Sequence, residues 1–132
     1  DMNHMFQNAE SFNQILNFNT GNVRDMTGMF SNAISFNQPL NFNTENVTDM
    51  SWMFLNARSF NQPFDFSGGK YWDTANVTDM SGMFYNAENF NQPLNFDTSK
   101  VKDMKYMFMD AISFDKDKNW KPKSSTSENL DQ

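Results

Sequence analysis

The pattern Asp-Met-x-x-Met-Phe begins at Asp1, Asp25, Asp49, Asp79 and Asp103, with one irregular interval. The residues around it recur as well. The full unit reads D-M-x-x-M-F-x-N-A-x-x-F-N-Q-P-L-N-F-N-T-x-N-V-x, a repeat of 24 residues. The long interval of 30 holds six extra residues, Phe66-Ser67-Gly68-Gly69-Lys70-Tyr71. Setting them aside aligns Trp72-Asp73-Thr74 with Phe42-Asn43-Thr44. A fixed repeat of this length dictates architecture before chemistry. Each unit is one small supersecondary element, and units must stack to bury their apolar side chains.

The apolar residues keep strict columns. Met26, Met50, Met80 and Met104 share one, and Met29, Met53, Met83 and Met107 another. Phe30, Phe54, Phe84 and Phe108 follow, then Ala33, Ala57, Ala87 and Ala111, then Phe36, Phe60, Phe90 and Phe114. Leu40, Phe64 and Leu94 close one side, with Val23, Val47, Val77 and Val101 on the other. Stacked units turn each column into a ladder within one continuous core. A mean hydropathy of −0.74 beside 16% aromatic residues suits a narrow core under a large polar surface. Methionine packs well against aromatic rings, so ten of the eleven methionines, those in the core columns, read as core rather than as soft-metal ligands.

Two periods coexist in the unit. Met50, Met53, Phe54 and Ala57 follow i, i+3, i+4, i+7, which predicts a short helix with Asp49 as its N-cap. Gly28 and Gly82 weaken that helix, so about two turns, partly 3₁₀, are expected. Leu40 and Phe42 alternate with Pro39 and Asn41, which predicts a very short strand beginning at or after the proline. The expected fold is an α/β repeat solenoid of leucine-rich-repeat type. It has a short parallel strand plus a short helix per 24-residue unit and about five units over residues 1–120. Recurring Asn32, Asn56, Asn86 and Asn37, Asn61, Asn91 are read as stacked amides that satisfy backbone groups at the turns. The charged stretch Asp115-Lys116-Asp117-Lys118-Asn119-Trp120 reads as a C-terminal cap, and residues 121–132 as a polar tail or linker. Asp1 starts in mid-unit without a comparable cap. That predicts an excised piece of a longer repeat protein, and end-to-end self-association through the first repeat.

Units such as NVTDMSGMFYNAENFNQPLNFDTS resemble the BspA-like leucine-rich-repeat surface protein family, including the repeats of mycoplasma-type surface lipoproteins. The resemblance runs from Asp1 to about Trp120 and departs from the family at the insert and at Phe42 and Phe96, where Trp is common. It implies a secreted or surface-anchored interaction module of adhesion type, with a cell-surface or extracellular location and an unknown extracellular protein or glycan as partner.

Little in the chain suggests an enzyme. His4 is the one histidine and cysteine is absent, which removes a histidine metal cluster, a histidine triad and a thiol nucleophile. Gly68-Gly69 is too short for a phosphate loop. Asp115-x-Asp117-x-Asn119 starts like a calcium loop but lacks the following glycine and the distal glutamate. No catalytic residue, metal site or cofactor is therefore assigned. The net charge of −6 argues against nucleic acid, and no apolar run reaches the length of a membrane span. Asn46-Val47-Thr48 and Asn76-Val77-Thr78 match a glycosylation sequon and read as turn residues.

Candidate contact residues lie where the repeat varies or repeats a polar group outward. The first group is the insert, with Phe66, Lys70 and Tyr71 on a Gly-hinged protrusion, unless its aromatics fold back on the core. The second is a possible apolar patch of Trp52, Leu55, Tyr85 and Tyr106, beside Met109, unless these residues serve packing between neighbouring helices. The third is the strand face, whose outward residues are Asn17, Asn41, Asp65 and Asn95. The leading reading is a non-enzymatic protein- or glycan-binding module. The alternative is a structural spacer, stalk or antigenic repeat with recognition elsewhere in the parent. Ice binding by the column Thr20, Thr44, Thr74 and Thr98 ranks third.

Overall fold

The computed structural model describes residues 1–123; of the polar tail or linker expected over 121–132, residues 124–132 lie outside the described residues. The units stack in parallel as expected, but the secondary structure within them is not α/β. The regular elements are β1 (Asp65–Phe66), the 3₁₀ turn Ser67–Gly69, β2 (Lys70–Tyr71) and α1 (Lys116–Asn119). A helix and a strand in every unit, and with them the α/β leucine-rich-repeat class, are overturned.

The expected helix is instead two consecutive four-residue turns. In one unit Met29 N–H donates to Met26 C=O, and Ala33 N–H to Phe30 C=O. The third residue of each turn has positive φ. These residues are His4 (φ 58), Gly28 (60), Trp52 (58), Gly82 (59) and Tyr106 (63) in the first turn, and Asn8 (63), Asn32 (60), Asn56 (56), Asn86 (58) and Asp110 (59) in the second. Left-handed residues at four-residue intervals cannot continue an α-helix, and a turn with positive φ in third place favours Gly or Asn there.

The amides thus freed run along the stack. Met26, Gly28, Phe30 and Asn32 donate to Asp49, Ser51, Met53 and Leu55 of the following unit at 3.0, 2.9, 2.9 and 2.7 Å. The next interface repeats this from Met50, Trp52, Phe54 and Asn56 to Asp79, Ser81, Met83 and Tyr85. The expected N-cap aspartates take a related role. Asp25, Asp49 and Asp79 each accept from the amide and the hydroxyl of the residue two places on, Thr27, Ser51 and Ser81. They close side-chain turns rather than starting helices.

The expected strand is extended and alternates correctly. Leu40, Phe42 and Thr44 are buried, while Asn41 and Asn43 are exposed. It fails to form a regular ladder because side chains replace the backbone pairing. Thr20 Oγ1 donates to Asn43 C=O at 3.0 Å and accepts from Asn43 N–H at 2.9 Å. Thr74 makes the same pair with Asp97. Pro39 has no amide to contribute.

The core is a double column of phenylalanine. Phe30, Phe54 and Phe84 stack at 5.6 and 5.4 Å, and Phe36, Phe60 and Phe90 at 6.1 and 6.0 Å. Within a unit the two rings lie closer, 4.4 Å for Phe30–Phe36 and 4.3 Å for Phe54–Phe60. Eight methionines, from Met26 to Met107 in the two expected columns, are buried beside them. Asparagines form two amide ladders. Asn32 Nδ2 donates to Asn8 Oδ1, Asn56 to Asn32, and Asn86 to Asn56, at 3.0, 2.7 and 2.6 Å. In the second, the backbone amides of Asn37, Asn61 and Asn91 donate to Asn13, Asn37 and Asn61 Oδ1.

The last unit ends differently. Asp115 Oδ1 accepts from Lys118 N–H at the start of α1, and Asn119 Nδ2 donates to Asn91 Oδ1 at 2.7 Å. Trp120 is buried, and the chain continues along the previous unit, with Lys121 and Lys123 N–H donating to Leu94 and Phe96 C=O.

Candidate functional site

The insert is a two-residue antiparallel hairpin set between core anchors. Asp65 pairs with Tyr71 and Phe66 with Lys70. Gly68 (φ 82) and Gly69 (φ 77) close the turn, and a Cβ built on either would meet no non-neighbouring atom within 4 Å, so the tip stands clear of the stack. Its base is held firmly. Phe64 and Trp72 are buried with ring centroids 4.5 Å apart, Trp72 N–H donates to Phe64 C=O, and Trp72 Nε1 donates to Leu40 C=O at 2.8 Å. Trp72 stacks on Phe42 at 6.3 Å, the column that the sequence alignment gave it. The six extra residues therefore leave the core register intact and add an outward rib to a regular face.

The rib separates two clefts. The larger, about 780 Å³, is lined among others by Asn41, Asn43, Phe66, Lys70, Tyr71 and Asp73, with Phe42 and Thr44 at its base. The smaller, about 180 Å³, is lined by Phe64, Asp65, Tyr71, Trp72, Pro93, Asn95, Phe96 and Lys123. Tyr71 belongs to both and is 62% exposed. Lys123 Nζ lies 5.6 Å from its ring centroid. Phe66 is only half-buried, so it partly folds back, whereas Lys70 and Tyr71 do not.

The structure brings the first and third sequence candidates together. Asn41, Asp65 and Asn95 are exposed on the face that carries the rib and line its clefts; Asn17 is exposed in the equivalent place of the first unit. The second group sits apart, on the turns. Trp52 and Tyr85 rings are 6.1 Å apart, and Tyr85 and Tyr106 6.5 Å. Leu55 is half-buried, and Tyr106 is 43% exposed. Packing between helices does not account for this group, since the units have no such helices. Trp52 has a packing role of another kind: a Cβ built on Gly82 would meet its ring at 2.1 Å, so the indole lies over the glycine of the next unit.

Sequence reading passed over Asp73 and Lys123. Asp73 carried a signal, since it aligns with Asn43 beside the strand face. Lys123 carried none, because it enters the smaller cleft only through the pairing of residues 121–123 with Leu94–Phe96. The threonines of the proposed ice-binding array are buried, at 2, 1, 2 and 0% exposure for Thr20, Thr44, Thr74 and Thr98, which removes that surface. Asn46 and Asn76 Nδ2 donate to Gly21 and Glu45 C=O, so their amides join units. Asp115 is engaged as the cap of α1, and among the described residues no three acidic, histidine or cysteine side chains converge on a metal position. Near the face, the Ser99 hydroxyl and amide hold the Asp97 carboxyl below the usual aspartate range.

A profile of the family described as "Mycoplasma protein of unknown function, DUF285" matches residues 1–68 and again 64–130. The chain belongs to the DUF285 family. The two matches meet at the rib, as expected if DUF285 describes a run of these units and the insert interrupts the count. The match is consistent with a mycoplasma-type repeat, whereas a BspA-like leucine-rich-repeat identity is not shown. No curated protein and no solved structure matches the chain. No helix among the described residues is long and apolar enough to cross a membrane.

Proposed function

We propose that this chain is a non-enzymatic interaction module of a cell-surface or secreted protein, binding an extracellular protein or glycan through the face around the Asp65–Tyr71 rib. The observation that carries the reading is the rib itself. A stack that needs only regular units holds one outward hairpin, anchored by buried Phe64 and Trp72 and flanked by two clefts. Loops displayed on rigid scaffolds are where binding residues concentrate. The sequence resemblance to BspA-like surface proteins supports the location and the adhesion-type role.

The test compares the intact chain with a variant lacking residues 66–71 on arrays of extracellular-matrix proteins and glycans. The deletion restores the 24-residue spacing, so the variant should fold. Saturable binding that disappears with the rib is the expected result. Binding that survives moves recognition to the turns around Trp52, Tyr85 and Tyr106. No binding by either protein favours the spacer reading.

End-to-end association has separate support in the turn ladder. Among the described residues, the amides of Met104, Tyr106, Phe108 and Asp110 lack the acceptors that each earlier unit finds in its successor. The uncapped first repeat of a second copy would supply them. Sedimentation that does not change with protein concentration would remove this proposal.

A further inference from the structure

We infer that the larger cleft beside the rib is a saccharide site, taking a neutral sugar ring against the face of Tyr71. The inference rests on the interaction reading above and adds the ligand class and its position.

The volume of about 780 Å³ lies within the range of small-ligand sites and accommodates one or two sugar rings. A pyranose has a flat C–H face and a rim of hydroxyls, each able to donate and accept. A site for it needs an exposed aromatic wall and uncommitted polar groups of both kinds. Tyr71 supplies the wall. Lys123 lines only the smaller cleft, so its ammonium holds the ring from that side and leaves the opposite face to the larger cleft.

The polar groups are of the required kinds. The Asn41 amide both donates and accepts, and Lys70 donates; neither side chain has a hydrogen-bond partner among the described residues. Asp73 Oδ1 accepts from Ala75 N–H at 3.0 Å, which leaves Oδ2 for a hydroxyl. Asn43 is already occupied on both sides by Glu45, so it shapes the wall rather than binding.

Charge and polarity exclude the neighbouring ligand classes. One lysine opposed by Asp73 does not make an anion site, in a chain of net charge −6. The apolar base, Phe42, is buried, so a hydrophobic ligand would meet mainly amide, carboxylate and ammonium.

The experiment is a titration of isotope-labelled protein, observed by amide NMR. The probes are a panel of neutral monosaccharides and their β-linked disaccharides at millimolar concentration. A panel of extracellular-matrix proteins is tested in parallel on the same sample. Saturable shifts confined to residues 41–44 and 65–73 with at least one sugar are expected. Tyr71→Ala should weaken that binding about tenfold, equivalent to about 1.4 kcal/mol. Tyr71→Phe and the remote, exposed Ile112→Ala should retain it.

Shifts that persist in Tyr71→Ala would overturn the assignment. Matrix-protein binding with no response to any sugar would overturn the ligand class and leave the interaction reading standing. Silence in both panels would count against both. Tyr71 is exposed, so its variants should fold, and unchanged shifts of core residues such as Met53 and Met83 check this.

Discussion

Gly82→Ala isolates what the turn column demands. Gly82 sits at φ 59, and an ideal Cβ there would lie 2.1 Å from Cε3 and Cζ3 of Trp52. Left-handed backbone costs an L-residue about 1–2 kcal/mol. Carbon atoms pack at about 3.5–4.0 Å, so the indole must retreat by about 1.5 Å. It is a rigid ring, half-buried and 6.1 Å from Tyr85, so the retreat costs a further 1–3 kcal/mol or so, as overpacking does. The expected loss is about 2–5 kcal/mol in all. In a Trp52→Ala background the steric part disappears and about 1–2 kcal/mol remains.

Gly28→Ala provides the control. Its Cβ would meet His4 Nδ1 at 2.5 Å, but that ring is exposed and can swing into solvent, so the strain alone of about 1–2 kcal/mol is expected. Urea unfolding, followed by the fluorescence of Trp72 and Trp120, closes the double-mutant cycle. A coupling between Gly82→Ala and Trp52→Ala of about 1–3 kcal/mol is expected. Equal losses at Gly28 and Gly82, or a Gly82→Ala loss undiminished without the indole, would refute the reasoning.

Thr44→Val removes a hydroxyl that donates to Asp73 C=O at 2.8 Å, and should lower the unfolding free energy by about 1–2 kcal/mol. Thr98→Val at the same column should be neutral or stabilising in the same urea assay, because Thr98 Oγ1 is buried without a partner among the described residues. Asp110→Asn should raise stability by about 0.5–1 kcal/mol by calorimetry, because an amide there can donate to Asn86 Oδ1 and extend the ladder that stops at Asn86. Asp97, with its folded pKa lowered by Ser99, contributes stability that is present above its unfolded pKa and is lost as pH falls through the folded value. Ser99→Ala should move that loss to higher pH, and the Asp97 carboxyl-carbon titration should show the midpoint rising.

Much of the packing was legible in the sequence, and the backbone was not. Columns of Met, Phe and Ala identified what is buried, and the alignment across the insert placed Trp72 on Phe42 correctly. The helix was a misreading with a clear cause. Met50, Met53, Phe54 and Ala57 satisfy helical spacing, yet two turns of four residues bring the same positions inward. The discriminating signal was local: Gly28, Gly82, Asn32, Asn56 and Asn86 fall at the places that need positive φ. The strand was misread because alternation reports which side chains are buried, not which group accepts a hydrogen bond. Thr20 and Thr74 take the place of a backbone ladder, and only their regular column hinted at it. In the candidate site, the rib was visible as an insertion. Its clefts were not, since they depend on residues from three units and on the final pairing at Lys121–Lys123.

The four turn-to-turn backbone bonds across each interface lie along the stack, parallel to any tension applied between its ends. Such bonds load one interface at a time, so a pulled chain should unzip by units instead of shearing as a block. Each regular unit of 24 residues would release about 80 Å of contour. The unit carrying the rib, with six more residues, would release about 20 Å beyond that. On a force trace it would appear as one longer step among even ones, marking where the proposed ligand sits.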